Sequence, residues 1–174
     1  MSRHSGAVPM ADPLAFFLTW PTYGTWLPGD QRGWVRYHRG HQLPDPVRAA
    51  AAQTVMTEEA CLLSRVQREV VEQTVRDHCK LREWELFAVN CRSNHLHVVV
   101  AAEMHPDEIR RQLKAWCTRR LKEHQRKEMG PNTGLRRHWW AERGSSRYID
   151  DQDSLEAAIC YVRDYQDQKY RPEP

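Results

Sequence analysis

Two strand-forming runs joined by a four-residue turn, with a helical pattern on either side, restrict the fold of this chain more than any other feature. Residues 84–90 alternate loosely between apolar and polar types, and Cys91-Arg-Ser-Asn94 reads as a turn. His95-Leu-His-Val-Val-Val-Ala-Ala102 is rich in β-branched residues, which suit a strand. So short a connection predicts an antiparallel hairpin. Upstream, residues 57–80 repeat Leu62, Leu63, Val66, Val70 and Val71 on one side of a helix, with Thr57 as its expected cap and Glu58 and Glu59 in the first turn. Downstream, Pro106 is well placed to open a second helix, which carries Ile109, Leu113, Trp116 and Leu121 and ends near Gly130-Pro131.

Outside this unit, Leu14-Ala-Phe-Phe-Leu-Thr-Trp20 reads as a buried strand ended by Pro21, and residues 143–149 as a further short strand. Asp153-Ser-Leu-Glu156 resembles a capping box for a last helix with Leu155, Ala158, Ile159 and Val162 facing inward. The order is then strand, helix, strand, strand, helix, strand, helix. Its first six elements match the split βαβ, or ferredoxin-like, plan. The expected fold is α+β: an antiparallel sheet with two helices on one face, the other face open, and an added C-terminal helix.

The 174 residues suit one domain over 1–174, with a loose arm at 1–12, an inserted loop region at 21–55 and a tail at 168–174. Three glycines and two prolines in residues 21–34 forbid a regular element there, while the aromatic and charged residues between them make the segment more than a spacer. Five cysteines at irregular spacing, with no Cys-x-x-Cys pair, suggest free buried thiols in a reducing cytoplasm and neither a disulfide framework nor a zinc site. The apolar run at residues 14–20 is too short to span a membrane and lacks a cleavage site after it. A cytoplasmic, nucleoid-associated location with no membrane partner is expected.

A net charge of only +3 says less than its distribution. Arg110, Arg111, Lys114, Arg119, Arg120, Lys122, Arg126 and Lys127 fall within eighteen residues, with Glu123 the one acid among them. Such a helix suits a phosphate backbone, or it is a solvated face. Trp26, Trp34, Trp139 and Trp140 are candidates to stack on unpaired bases, an interaction worth about 1–3 kcal/mol per base. The alternative for Trp139 and Trp140 is that they cover one end of the sheet.

Side chains two apart on a strand share a face, so His95 and His97 present two imidazoles together while Leu96 points away. Two neutral imidazoles make a partial shell for a divalent metal. Asn94-His-Leu-His-Val-Val-Val100 resembles the His-hydrophobic-His motif of the single-tyrosine transposases, the REP-associated and insertion-sequence enzymes. The run Phe16-Phe-Leu-Thr-Trp-Pro-Thr-Tyr-Gly-Thr-Trp-Leu-Pro-Gly-Asp30 is similar to the start of a bacterial branch of that family. Arg137-His-Trp-Trp140 and Ser146-Arg-Tyr-Ile149 add to the likeness, which covers roughly residues 14–168.

The resemblance implies a ferredoxin-like sheet with the histidine pair on a central strand, and a C-terminal helix carrying a nucleophilic tyrosine and a polar metal ligand. It implies cleavage and rejoining of single-stranded, hairpin-bearing DNA through a covalent phosphotyrosine, with Mg²⁺ or Mn²⁺, by a homodimer or a monomer. Matching Leu155-Glu-Ala-Ala-Ile-Cys-Tyr-Val162 to the family pattern selects Tyr161, with Tyr165 one turn later as the alternative nucleophile. The family often places Gln or Asn four residues after the tyrosine; here that position is Tyr165, and Gln166 follows. On a regular helix Gln166 would point about 140° from Tyr161, and Asp164, the other candidate ligand, about 60°. Two further readings are a nickase related to two-tyrosine replication initiators and a non-catalytic nucleic-acid-binding module of the same fold.

Overall fold

The computed structural model describes residues 12–36, 39–130 and 134–165, including the backbone but not the side chain of Tyr165. Most of the expected arm, Gln166 and the tail lie outside the described residues. In chain order the elements are β1 (Ala15–Pro21), β2 (Trp34–Arg36), β3 (Gly40–Gln42), α1 (Pro46–Thr54), α2 (Arg65–Leu81), β4 (Glu85–Cys91), β5 (His95–Ala101), α3 (Pro106–Met129), β6 (Ser145–Ile149), α4 (Gln152–Cys160) and a π-helical turn at Tyr161–Tyr165. The main sheet runs β4-β5-β1-β6 with every neighbouring pair antiparallel. That order is the ferredoxin-like arrangement read from the sequence.

Strand alternation sorts the side chains into two cores. Phe16, Leu18 and Trp20 of β1 join Leu96, Val98 and Val100 of β5 on one face, packed against Val71, Val75 and Cys79 of α2 and Ile109, Leu113, Cys117 and Leu121 of α3. On the other face Ala15, Ala88, Val99 and Ile149 pack with Leu155 and Ala158 of α4 and Val162 of the π turn. The second face is therefore not left open as expected. Val98, Val99 and Val100 are each fully buried, and a strand apolar on both sides needs cover on both.

Two helix starts differ from the sequence reading. The second element begins at Arg65, not Thr57: Ser64 and Gln67 form a reciprocal capping box that satisfies two otherwise free amide donors. The preceding residues run extended along the insert and the hairpin, with Cys61 N–H donating to the Tyr23 carbonyl and Leu63 N–H to the Ser93 carbonyl, both at 2.8 Å. Extended alternation buries Cys61 and Leu63 and turns Leu62 outward at 67% exposure, and Val66 is also exposed. The last helix is capped by Asp151, not Asp153, its carboxylate accepting from the Ser154 N–H and hydroxyl.

Residues 22–33 are irregular, as their three glycines and Pro28 require, but the 21–55 region also holds the β2–β3 hairpin and α1. Pro46 opens α1 and the Asp45 carboxylate caps it. The insert is pinned to the sheet at Asn94, whose carbonyl accepts from Thr22 N–H at 2.8 Å and from the hydroxyls of Thr22 and Thr25 at 3.1 Å each. All five cysteines are free; Cys61, Cys79, Cys91 and Cys117 are buried and Cys160 is exposed. Among the described residues no helix is long and apolar enough to cross a membrane.

Candidate active site

The turn after β4 and the pleat of β5 bring His95 and His97 onto the face that carries α4. Their ring centroids are 4.6 Å apart and the rings nearly perpendicular, at 83°. His95 Nδ1 lies 2.7 Å from the Asn94 side-chain oxygen. That oxygen can only accept, so Nδ1 carries the hydrogen and Nε2 keeps its lone pair. His97 Nδ1 lies 2.7 Å from the Thr19 hydroxyl, on the residue that faces it across β1. With the hydroxyl accepting, Nε2 of His97 is a free donor atom as well. A hydrogen-bond acceptor on the outer ring nitrogen, usually a carboxylate, a backbone carbonyl or water, fixes the tautomer and orientation of a metal-binding histidine, and Asn94 and Thr19 stand in that position here.

Electrostatics hold both rings neutral. Burial pushes the His97 pKa down to about 3, helped by the neighbouring His95 and by Arg92. Burial also lowers His95, with Arg92 and Arg32 acting in the same direction. Neutral imidazoles are what a divalent cation requires, so the donor set fits a metal. Among the described residues no group of three His, Cys, Asp or Glu side chains gathers for a metal, so Asp164 does not join the pair.

Tyr161 stands at the junction of α4 and the π turn. Its ring centroid is 5.9 Å from that of His97 and 6.0 Å from that of Phe17, edge-on to both. Phe17 also stacks on His97 at 5.4 Å. Tyr161 is 40% exposed, whereas Val162 beside it is fully buried. Two hydrogen bonds tether this turn to β4: Asn90 Nδ2 donates to the Val162 carbonyl at 3.1 Å and Arg163 to the Phe87 carbonyl at 2.7 Å. A cleft of about 710 Å³ lined by Gly24, Leu27, Gln53, Met56 and residues 57–60 includes neither histidine. The pair and the tyrosine lie together where β5 meets the π turn, with His97 buried and Tyr161 reaching the surface.

A model of the family described as "Transposase IS200 like" matches residues 53–165, a span that holds both histidines and Tyr161. This chain belongs to the IS200-like transposase family. The structure of a REP-associated tyrosine transposase bound to a REP hairpin shares the fold, with a TM-score of 0.51 and 12% identity over 98% of this chain and 75% of that one. A putative transposase from Deinococcus radiodurans R1 is similar at a TM-score of 0.44 and 16% identity over 99% and 100% of the two chains. Among curated proteins no sequence match is found.

In this transposase the basic helix is not beside the histidines. α3 packs on the opposite face of the sheet, against Leu96, Val98 and Val100. Several of its cations are committed internally. Arg110 bonds Ser146 and Asp107, Arg111 bonds Glu108, and Arg119 and Arg120 share Glu123. The Lys114 ammonium donates to the carbonyls of Ala141, Glu142 and Arg143, at 2.7, 3.1 and 3.2 Å. Burial and the nearby Arg110 lower its pKa to about 8. These contacts strap the segment before β6 to α3. Lys122 is half-buried on the same helix.

The tryptophans divide. Trp34 and Trp139 are buried, and Trp140 is half-buried edge-on to Trp20 at 6.2 Å, so these three pack the fold. Trp26 is 43% exposed with its N–H on the Gly33 carbonyl, leaving it the one of the four with a large exposed surface. The sequence reading missed Thr19, Phe17 and Asn90. For Phe17 and Thr19 the signal existed in the alternation of β1, which puts both on the face opposite Phe16, Leu18 and Trp20. Asn90 depends on which strands and turns meet, and no local pattern marks it.

Proposed function

We propose that this transposase cleaves and rejoins single-stranded, hairpin-bearing DNA with Tyr161 as the nucleophile and a divalent metal, Mg²⁺ or Mn²⁺, held by His95 and His97. The observation that carries the reading is the exposed Tyr161 ring set edge-on to His97, on a turn tethered to β4. A bound metal would draw charge from the phosphoryl oxygens and orient the group for in-line attack. The Tyr161 oxygen forms a bond to phosphorus as the bond from phosphorus to the 3′ oxygen breaks, and that oxygen leaves with a proton as a free 3′ hydroxyl. The phosphotyrosine conserves the energy of the broken diester, so a later 3′ hydroxyl can displace Tyr161 and reseal DNA without ATP. The REP hairpin bound by the structural relative supports a hairpin substrate.

Gln166 is the proposed third ligand. The resemblance supports it: the family often carries Gln or Asn four residues after the tyrosine, and Gln166 follows Tyr161 by five. Asn94 and Thr19 keep the two imidazoles oriented, and Phe17 holds His97 and Tyr161 at a common edge.

Single-stranded hairpin DNA incubated with the protein and Mg²⁺ or Mn²⁺ should yield a DNA adduct that mass spectrometry maps to Tyr161. Tyr161→Phe should abolish the adduct and leave DNA binding intact. Normal adduct formation by that variant overturns the assignment, and Tyr165→Phe then tests the alternative nucleophile.

A further inference from the structure

Arg147 lies in the Ser146-Arg-Tyr-Ile149 motif, on the face of β6 that it shares with the histidines. It faces Phe17 across β1, and its guanidinium carbon sits 5.3 Å from the Phe17 ring centroid. The same ring stacks on His97 and meets the edge of Tyr161. Arg147 is exposed, and among the described residues its guanidinium has no hydrogen-bond or ion-pair partner. This sets it apart from Arg110, Arg111, Lys114, Arg119 and Arg120, which have internal partners on the opposite face of the sheet.

We propose that Arg147 and Phe17 form a subsite for a backbone phosphate of the bound DNA strand, next to the phosphate that Tyr161 attacks. The sheet register supports this path. β5, β1 and β6 are adjacent, so a strand crossing from the histidines over Phe17 meets Arg147 next. A guanidinium lying over an aromatic ring keeps its N–H groups directed outward, in a planar fork that matches two phosphate oxygens. Phe17 restricts the arginine to that pose while leaving its charge exposed. The subsite rests on the proposed cleavage of single-stranded DNA, and it gives that strand a direction across the sheet.

The test measures binding of fluorescein-labelled oligothymidine to the full chain over a range of salt concentrations, in EDTA, for wild type, Arg147→Ala, Arg147→Lys and Arg76→Ala. Arg76 pairs with Glu72 on α2 across the sheet and controls for the loss of one positive charge. One phosphate contact contributes about 0.7 to the slope of log affinity against log salt for a single strand. Arg147→Ala should lower the slope by that amount and weaken binding about fivefold at 0.1 M salt, taking 1 M as the point where the contribution vanishes. Arg147→Lys should keep the slope, and Arg76→Ala should match wild type. Equal slopes for wild type and Arg147→Ala overturn the subsite, as does an equal loss in Arg76→Ala. The cleavage reading is judged separately by the Tyr161 adduct: adducts from wild type with an unchanged Arg147→Ala slope leave cleavage standing and remove the subsite. A lowered slope without any adduct does the reverse.

Discussion

Replacing His97 by glutamine should flatten the acid limb of the metal-free protein's stability curve. His97 is only 7% exposed, and burial, with His95 and Arg92 adding to it, lowers its pKa from 6.5 to about 3. The unfolded chain therefore takes up a proton near pH 6.5 that the folded chain refuses until about pH 3. A depressed folded pKa means that this contribution is fully present above pH 6.5 and is lost as pH falls toward the folded value. At about 1.4 kcal/mol per pKa unit the whole window is worth about 5 kcal/mol, and the part crossed between pH 7.5 and pH 5 about 2 kcal/mol. Urea unfolding in EDTA at several pH values from 7.5 to 5 measures it for both proteins. The comparison is between slopes, so the constant cost of losing the imidazole drops out, and His78 and His95 are retained in both. Wild type should lose about 2 kcal/mol more than His97→Gln over this range. Parallel curves would refute the claim that His97 is held neutral by its burial.

Two further outcomes follow from single contacts. Thr19→Val removes the hydroxyl at His97 Nδ1 while keeping the shape of the strand, and should weaken Mn²⁺ affinity about 10- to 100-fold by calorimetric titration, with little change in urea midpoint. Ser64→Ala removes the side-chain half of the α2 capping box and should cost about 1 kcal/mol in urea unfolding without altering adduct formation.

Local chemistry made much of the architecture legible. The β-branched run after Asn94, the short turn before it and Pro106 after it are signals carried by a few adjacent residues, and each produced the expected element. The histidine pair was equally local, because strand pleating alone puts His95 and His97 on one face. Two helix starts differ from the local signal, with Ser64 and Asp151 as the caps in place of Thr57 and Asp153. Thr57 lost to Ser64 because the Cys61 and Leu63 amides find backbone partners in the insert and the hairpin, an outcome that depends on segments far apart in the chain.

What the sequence by itself determined is the order of elements, the alternation of the central strands and the two imidazoles side by side. Tertiary structure decided what surrounds those imidazoles. It put Tyr161 against His97 by docking α4 on the second face and tethering the π turn to Asn90 and Phe87. It moved the basic helix to the opposite face and left Arg147 exposed beside Phe17. The reason is physical: hydrogen-bonding period and capping act over a few residues, whereas the side of a sheet that a helix covers is set by total apolar burial across the whole chain.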